Sequence, residues 1–383
     1  MSLVARLALG LALLLTAAPA GAAVIAPKVV IISYFETSKL PGQAVSPSVW
    51  GDSGGQSDRP GELRYWVERE RLTRVIKVRG AFNPAYLSAD GSILAMKVGP
   101  NSLHPAVNIT ALGLDPQFDF SKSYWLFNGI AGISPAAGTI GDVVWTDFVV
   151  NGDVGHEIDA REIPKDWPTG YFPAGKQSPY QTPRVVQGSK EDVRTWSKAA
   201  FNRNGGGNVI AFNRGLAGWA LAQTAGVTLT DDAVMQAVRK AYAGYPAAQR
   251  APKVHLGATL SAETFWHGAL LDLWAADWTR YMTDGQGAYV TTETNDAGSM
   301  VAISALAAAG RVDPNRVMLL RAASNFDMPP PGVSAAQGLA DQGPGSYAGY
   351  LPALESAYRA GSMVVHALIQ GWGRYAAAPP AAQ

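Results

Sequence analysis

The stretch FNGIAGISPAAGTIGDVV, Phe127 to Val144, runs straight out of the apolar segment YWL at 124–126. It puts Gly129, Gly132 and Gly138 at or just beyond the end of a strand. Glycine there either lets the backbone come close to a ligand or turns the chain. The spacing is not G-x-G-x-x-G, and no acidic residue stands at the required place on a following β-α-β unit, so this is not a dinucleotide fingerprint. Taken alone, a tight strand-to-loop turn is the simpler reading.

Outward from this stretch, apolar runs alternate with helical patterns. Strands are predicted in PKVVIISYFE (Pro27–Glu36), GSILAMKVG (Gly91–Gly99), KVHLGATLSAETF, GAYVTTETND and NRVMLLRAASNFD. Helices are predicted in HPAVNITALGLDP, in NVIAFNRGLAGWALAQTAG, in DDAVMQAVRKAYAG capped by Asp231 or Thr230, in Ala262 to Met282, in AGSMVAISALAAAG and in YLPALESAYRAGSMVVHALIQGWGRY. This alternation predicts an α/β fold, a three-layer αβα sandwich with a mostly parallel mixed sheet. No repeat or composition break divides it. A single domain over 24–375 and a disordered tail over 376–383 are expected.

The N-terminus has the order of a secretory signal peptide: Arg6, an apolar Leu7–Leu15, and small residues at Ala18–Ala23. Cleavage after residue 23 would send the mature chain to the periplasm or outside the cell. The apolar run is shorter than the ~20 residues that span a bilayer, and no other run of spanning length follows. The 383 residues carry 31 basic and 30 acidic side chains, a net charge of +1, with no basic stripe for nucleic acid. There is no cysteine, and the 5 histidines form no H-x-x-x-H pair, so no metal site is expected.

In open α/β sheets ligands bind beyond the carboxyl ends of strands. Three strand ends here are unusually polar: NGIAG after Leu126, TETND after Val290 and RAASNFD after Leu320. Each has a plain structural explanation as a turn or a helix cap. In this order, however, the blocks YWLFNGIAGISPAAGTIGDVVWTDFVVNGDVGHEIDARE, DWPTGYF, GAYVTTETND and LLRAASNFD resemble the purine nucleoside permease family, itself similar to the nucleoside phosphorylase superfamily. The resemblance spans Lys28 to Trp372.

The resemblance implies a purine nucleoside as ligand, no cofactor, and inorganic phosphate as a co-substrate to be considered. It also raises a homo-oligomer and an unidentified membrane transporter as partners. The segment with Glu293, Asn295 and Asp296 stands where that superfamily grips ribose, and the residues do not distinguish among the three. Asn325 or Asp327, after Ser324, would serve the leaving base; an asparagine has no proton to give, so Asp327 is the better acid. Phe127, Asn128, Gly129 and Gly132 would form the pocket floor, and Tyr171 and Phe172 would stack on the base with Phe127. Gly99, Asn101, Ser102 and His104 stand where a phosphate loop would be. The chain departs there: SYFETSKLPG replaces a Gly-Asp-Pro loop, and MKVGPNSLHPAVN lacks a lysine in the turn. Water as acceptor, or binding without reaction, follows from that departure. The charged run GHEIDARE reads equally as a solvated loop or a pocket edge, and Trp266 and His267 read as packing.

Overall fold

The computed structural model describes residues 23–41, 59–173, 178–179, 208–342 and 347–381. The expected signal segment up to residue 22, the centre of the first long loop and the end of the aromatic loop before 183 lie outside the described residues.

Strand β1 (Val29–Ser33) shows how the layers arise. Side chains alternate across a strand, and here both faces are apolar. Val29 and Ile31 enter one core cluster; Val30 and Ile32 enter another on the opposite face. β5 (Tyr124–Ile133) repeats the pattern, with Tyr124 and Leu126 on one side and Trp125 and Phe127 on the other. A strand buried on both faces needs helices on both faces. On one side lie α1 (Arg64–Arg69), α3 (Arg214–Gln223) and α9 (Tyr350–Gln370), supplying Trp66, Leu216 and Val364. On the other lie α2 (Leu103–Leu114) and α7 (Asp296–Ala308), supplying Ile109, Leu112, Ile303 and Leu306.

The remaining strands are β2 (Arg74–Ile76), β3 (Ala85–Leu87), β4 (Ile93–Lys97), β6 (Val143–Asn151), β7 (Gly155–Glu157), β8 (Tyr171–Pro173), β9 (Val209–Ala211), β10 (Val254–Ser261), β11 (Tyr289–Glu293) and β12 (Val317–Phe326). Among the described residues the main sheet runs β11-β10-β6-β12-β5-β1-β4-β3-β2, with β9 added on β6. β1 pairs parallel to β4 and β5, β10 parallel to β6 and β11, and β12 parallel to β5. The α/β expectation therefore holds, with one addition. The glycine end of β5 also pairs antiparallel with β11, through Ile133 with Thr291 and Gly132 with Thr292. That pairing closes β5, β12, β6, β10 and β11 into a ring and brings three distant strand ends together.

Three local readings change. NVIAF begins as strand β9, and helix α3 starts only at Arg214, capped by the Asn213 side chain. α4 (Ala233–Lys240) is capped by Asp232, while Asp231 pairs with Arg239 instead. The helix expected from Ala262 begins at Ala269 as α6 (Ala269–Met282). Gly268, at φ +144°, breaks the pattern and leaves Glu263 to His267 as an irregular segment beside the strand ends. Three short helices complete the set: α5 (Pro246–Gln249), α8 (Ala335–Asp341) and α10 (Trp372–Tyr375). Past α10, Arg316 holds the carbonyls of Tyr375 and Ala376 at 2.7 and 3.0 Å. Among the described residues no helix is long and apolar enough to cross a membrane.

The GTIGD block is a clamp. Asp142, fully buried, accepts both guanidinium arms of Arg250, at 2.7 and 2.5 Å, and the backbone N–H of Thr139 and Lys253. Burial alone would raise its carboxyl, but the bonds from His255 and Arg250 outweigh burial and lower it. Gly141, at φ +88°, donates to Ala323 O at 2.7 Å, and Ala323 N donates to Asp142 O at 2.8 Å. The block thereby fixes β12 just before Ser324. There the register against β5 slips between Ala323 and Asn325, a bulge that re-aims the strand end.

Candidate functional site

A narrow pocket opens where β5, β11 and β12 end. Gly132, Thr292, Glu293, Asn325 and Asp327 line it, and the irregular segment contributes Thr264, Phe265 and Trp266. Its free space is only about 30 Å³, room for one or two waters. A Cβ on Gly132 would stand 3.2 Å from Thr292 Cγ2, a tight contact on the pocket wall.

Behind the pocket lies a buried ion cluster. Arg321, with no exposed surface, donates Nε to Asp296 Oδ2 at 3.0 Å and pairs through Nη2 with Asp296 Oδ1. Nη2 also lies 3.5 Å from Glu293 Oε2, and the guanidinium stacks 4.5 Å from the Tyr34 ring centre. The Tyr34 hydroxyl donates to Asp296 Oδ1 at 2.5 Å. Such a cation must be paired to be buried at all. Glu293 Oε2 accepts from Asn295 N and, at 2.9 Å, from Asp296 N, at the start of α7. Glu293 Oε1 has no partner and belongs to the pocket wall. Burial, then the charge of Asp296, push the Glu293 carboxyl well above its ordinary range.

Glu62 completes the cluster and carries no sequence signature. Its Oε2 accepts from Tyr34 N at 2.7 Å and its Oε1 from Ile130 N at 2.8 Å, so it bridges β1 and β5. Burial raises its carboxyl to about 7, against the lowering effect of Arg321. Gly129 lies between the two side chains. A Cβ there would run into Arg321 Nη1, and would sit 2.6 Å from Glu62 Oε1.

At the other end of the pocket, the Tyr289 hydroxyl donates to Asp327 Oδ2 at 2.5 Å, while Asp327 Oδ1 has no partner. Burial holds the Asp327 carboxyl well above its usual range. Asn325 is committed on both sides: Ser324 Oγ donates to its Oδ1 at 2.8 Å, and its Nδ2 donates to Gln342 Oε1 at 3.1 Å.

The segments expected to hold phosphate hold carboxylates instead. After β1, Glu36 takes the N–H groups of Ser38, Gly61, Leu63 and Arg64, at 2.9, 2.7, 3.2 and 2.6 Å. In the Gly99–His104 segment, Ser102 N donates to Glu263 Oε1 at 2.8 Å. Gly99, at φ +98°, packs against the Cβ of His104, whose exposed ring meets Phe82 edge-on. Asn101 passes its carbonyl to Asn295 Nδ2 at 3.3 Å.

The structure thus brings Gly132, Glu293, Asn325 and Asp327 to one pocket. Ser324, Asn295 and Asp296 lie directly behind it. It does not bring Phe127 or Asn128 there. Phe127 packs in the core with Ile32 and Trp125; Asn128 accepts from Trp66 Nε1 at 3.1 Å and donates to Ala357 O at 3.0 Å. Tyr171 packs on Trp274, and Phe172 on His156 and Trp167, in the β7–β8 hairpin, so neither lines the pocket. His156, Glu157, Asp159, Arg161 and Glu162 are exposed. Phe265 and Trp266 are the aromatic wall, in a segment read from sequence as helix. A larger open groove of about 680 Å³ runs along α2, but its carboxylate, Asp115, is taken by Arg79 N and Gln117, so the chemistry is not there. Among the described residues no three His, Asp or Glu side chains are grouped to hold a metal ion.

The model of the purine nucleoside permease family matches residues 26–380. A purine nucleoside permease of Candida albicans is 27% identical over 316 residues, covering 81% of this chain and 72% of that protein. A probable purine nucleoside permease of Schizosaccharomyces pombe is 26% identical over 300 residues, covering 78% and 82%. Among solved structures, a 5'-methylthioadenosine/S-adenosylhomocysteine nucleosidase from Neisseria meningitidis covers 90% of this chain and 100% of its own, at 14% identity and a TM-score of 0.43. A futalosine hydrolase of Helicobacter pylori covers 89% and 98%, at 14% identity and a TM-score of 0.45.

Proposed function

Since the chain belongs to the purine nucleoside permease family, we propose that it binds a purine nucleoside at the joined ends of β5, β11 and β12 and cleaves its N-glycosidic bond with water. One observation carries the reading: two buried carboxyls, Glu293 and Asp327, line the same pocket, and neither Glu293 Oε1 nor Asp327 Oδ1 meets a donor. Buried polar atoms without partners are rare and ask for a ligand.

Cleaving the bond builds positive charge on the ribose and negative charge on the base. Glu293, backed by Asp296, would hydrogen-bond the ribose hydroxyls. Asp327, held protonated by burial, would give its proton to the leaving base. Asn325, held by Ser324 and Gln342, would stand beside that base, and Phe265 and Trp266 would flank it. Phosphate is disfavoured as acceptor, because Glu36 and Glu263 already fill the backbone donors that would receive it. A nucleoside does not fit about 30 Å³, so binding requires the Thr264–Trp266 wall to move outward.

Export through the leader segment belongs to this reading. A second reading, a binding component that hands the nucleoside to a membrane transporter, is favoured by the full commitment of the Asn325 amide. The test is to incubate the mature protein with adenosine, inosine or guanosine, with and without phosphate, and chromatograph the products. Free base at the same rate in both supports hydrolysis. Base only with phosphate overturns the choice of water. Saturable binding by calorimetry without base gives the second reading, and neither turnover nor binding removes both.

A further inference from the structure

Asp272, which no motif singles out, lies buried in the first turn of α6. That turn is fastened to the backbone of Asp327: Gly268 N donates to Asp327 O at 3.0 Å, and Asp272 N donates to Gly268 O at 2.9 Å. The fastening sets the two carboxyls side by side, within hydrogen-bonding reach of each other. Each is more than nine-tenths buried, and each retains an Oδ1 without a donor. The titratable groups facing the pair are Tyr289 on β11, Tyr242 in the turn after α4 and, across the pocket, Glu293. Ser134 adds a hydroxyl to Asp272. His267 Nε2 lies against Gly338 instead. The neighbours named are hydroxyls and carboxyls; none brings a cation to the pair.

Two carboxyls that touch in a dry site hold a proton between them at rest, and they titrate as a pair. We propose that Asp272 is a positioning residue for Asp327: the two carboxyls share one proton, and Asp272 keeps that proton available until the leaving purine takes it. The proposal rests on the reading of Asp327 as the acid. Burial, and then the charge of Asp272, raise the Asp327 carboxyl; burial raises Asp272 as well. In the step, the glycosidic C–N bond breaks and its electron pair stays on the base. The Asp327 proton passes to a ring nitrogen. The water oxygen bonds to the anomeric carbon and its proton passes to solvent water. The ionised pair then regains a proton from solvent.

The experiment is a pH titration of the full mature chain labelled with carboxyl-¹³C aspartate, read by NMR, for the wild type, Asp272→Asn and Asp327→Asn. Glutamates are silent in this label. The wild type should show an aspartate that keeps its proton far above the ordinary range. In Asp272→Asn the Asp327 midpoint should fall by at least one pH unit, roughly tenfold in acidity. The alkaline limb of the pH–kcat profile should move down with it, while KM changes by less than about threefold; a merely structural role would lower the rate at every pH. An Asp327 midpoint that stays in place overturns the shared proton. A midpoint that moves without the pH–rate limb overturns the positioning role. Wild-type protein that cleaves no nucleoside defeats the hydrolase reading and the role assigned to Asp272 there, while the titration still decides the shared proton. If Asp272→Asn fails to fold, Asp272→Ser gives the same readings.

Discussion

Glu62 offers a test of the buried cluster that does not depend on any substrate. Its carboxyl rises from an ordinary 4.5 to about 7 on folding, chiefly through burial. The folded chain therefore holds this proton more tightly than the unfolded chain does. Stability from this group is fully present below about pH 4.5 and is lost as pH rises through about 7. At about 1.36 kcal/mol per pH unit the whole effect is about 3 kcal/mol, of which about 2.5 kcal/mol falls between pH 5 and pH 8. Glu62→Gln removes the titration. It also sets an amide N–H₂ against one of two backbone donors, Tyr34 N or Ile130 N, which costs roughly 1–3 kcal/mol at every pH. The constant offset cancels when each protein is compared with itself. Urea unfolding followed by tryptophan fluorescence, at about pH 5 and about pH 8, measures both. The wild-type advantage over Glu62→Gln should shrink by about 2.5 kcal/mol between the two. An advantage constant within about 0.5 kcal/mol would refute the raised carboxyl.

Arg321→Met leaves Asp296 and Glu293 buried without their cation and should cost about 3–5 kcal/mol in the same unfolding assay; a loss under about 1 kcal/mol would show that the cluster is open to water. Glu36→Gly empties the backbone nest after β1, so added phosphate should raise the Tm of that variant more than that of the wild type. Equal shifts would mean that the nest collapses without its carboxylate. Gly141→Ala puts a methyl 2.5 Å from Met235 Cε and 2.9 Å from Pro252 Cγ, at φ +88°. It should destabilise by about 2–4 kcal/mol and lower any turnover through the displaced Ser324 bulge; a variant as stable as wild type would contradict the clamp.

The layers were legible because they depend on short-range pattern. Four consecutive apolar residues at Val29–Ile32 announce a strand buried on both faces, and they feed two different cores. The polar strand ends were legible for the same reason, and Glu293, Asn325 and Asp327 do meet in one pocket. What sequence could not reveal was set by long-range burial. Glu62 stands in an unremarkable GELR segment and acquires its character from Ile130, 68 positions away. Asp272 looks like any acidic residue in a first helical turn until Gly268 docks that turn on Asp327. Phe127 looked like a stacking ring, but its parity along β5 turns it into the core. The wall residue Trp266 was hidden in a helical pattern that Gly268 interrupts.

The glycines of FNGIAGISPAAGTIGDVV take on a specific meaning in this light. A phosphate cradle offers free backbone N–H groups to an external anion. Here Ile130 N is already given to the Glu62 carboxyl, and Gly129 is small because Arg321 and Glu62 flank the place of its Cβ. Gly138 yields space to the Asp142 carboxylate, 2.7 Å from where its Cβ would stand, and Gly141 turns the chain so that Asp142 can grip β12. Three of the glycines therefore serve the chain's own buried ions, and Gly132 alone serves the pocket. Replacing Gly129 should accordingly disturb folding before it disturbs affinity for any anion, whereas replacing Gly132 should narrow the pocket and leave the fold intact. A Gly132→Ala chain with wild-type unfolding and weakened nucleoside binding would support that division; a Gly129→Ala chain of wild-type stability would break it.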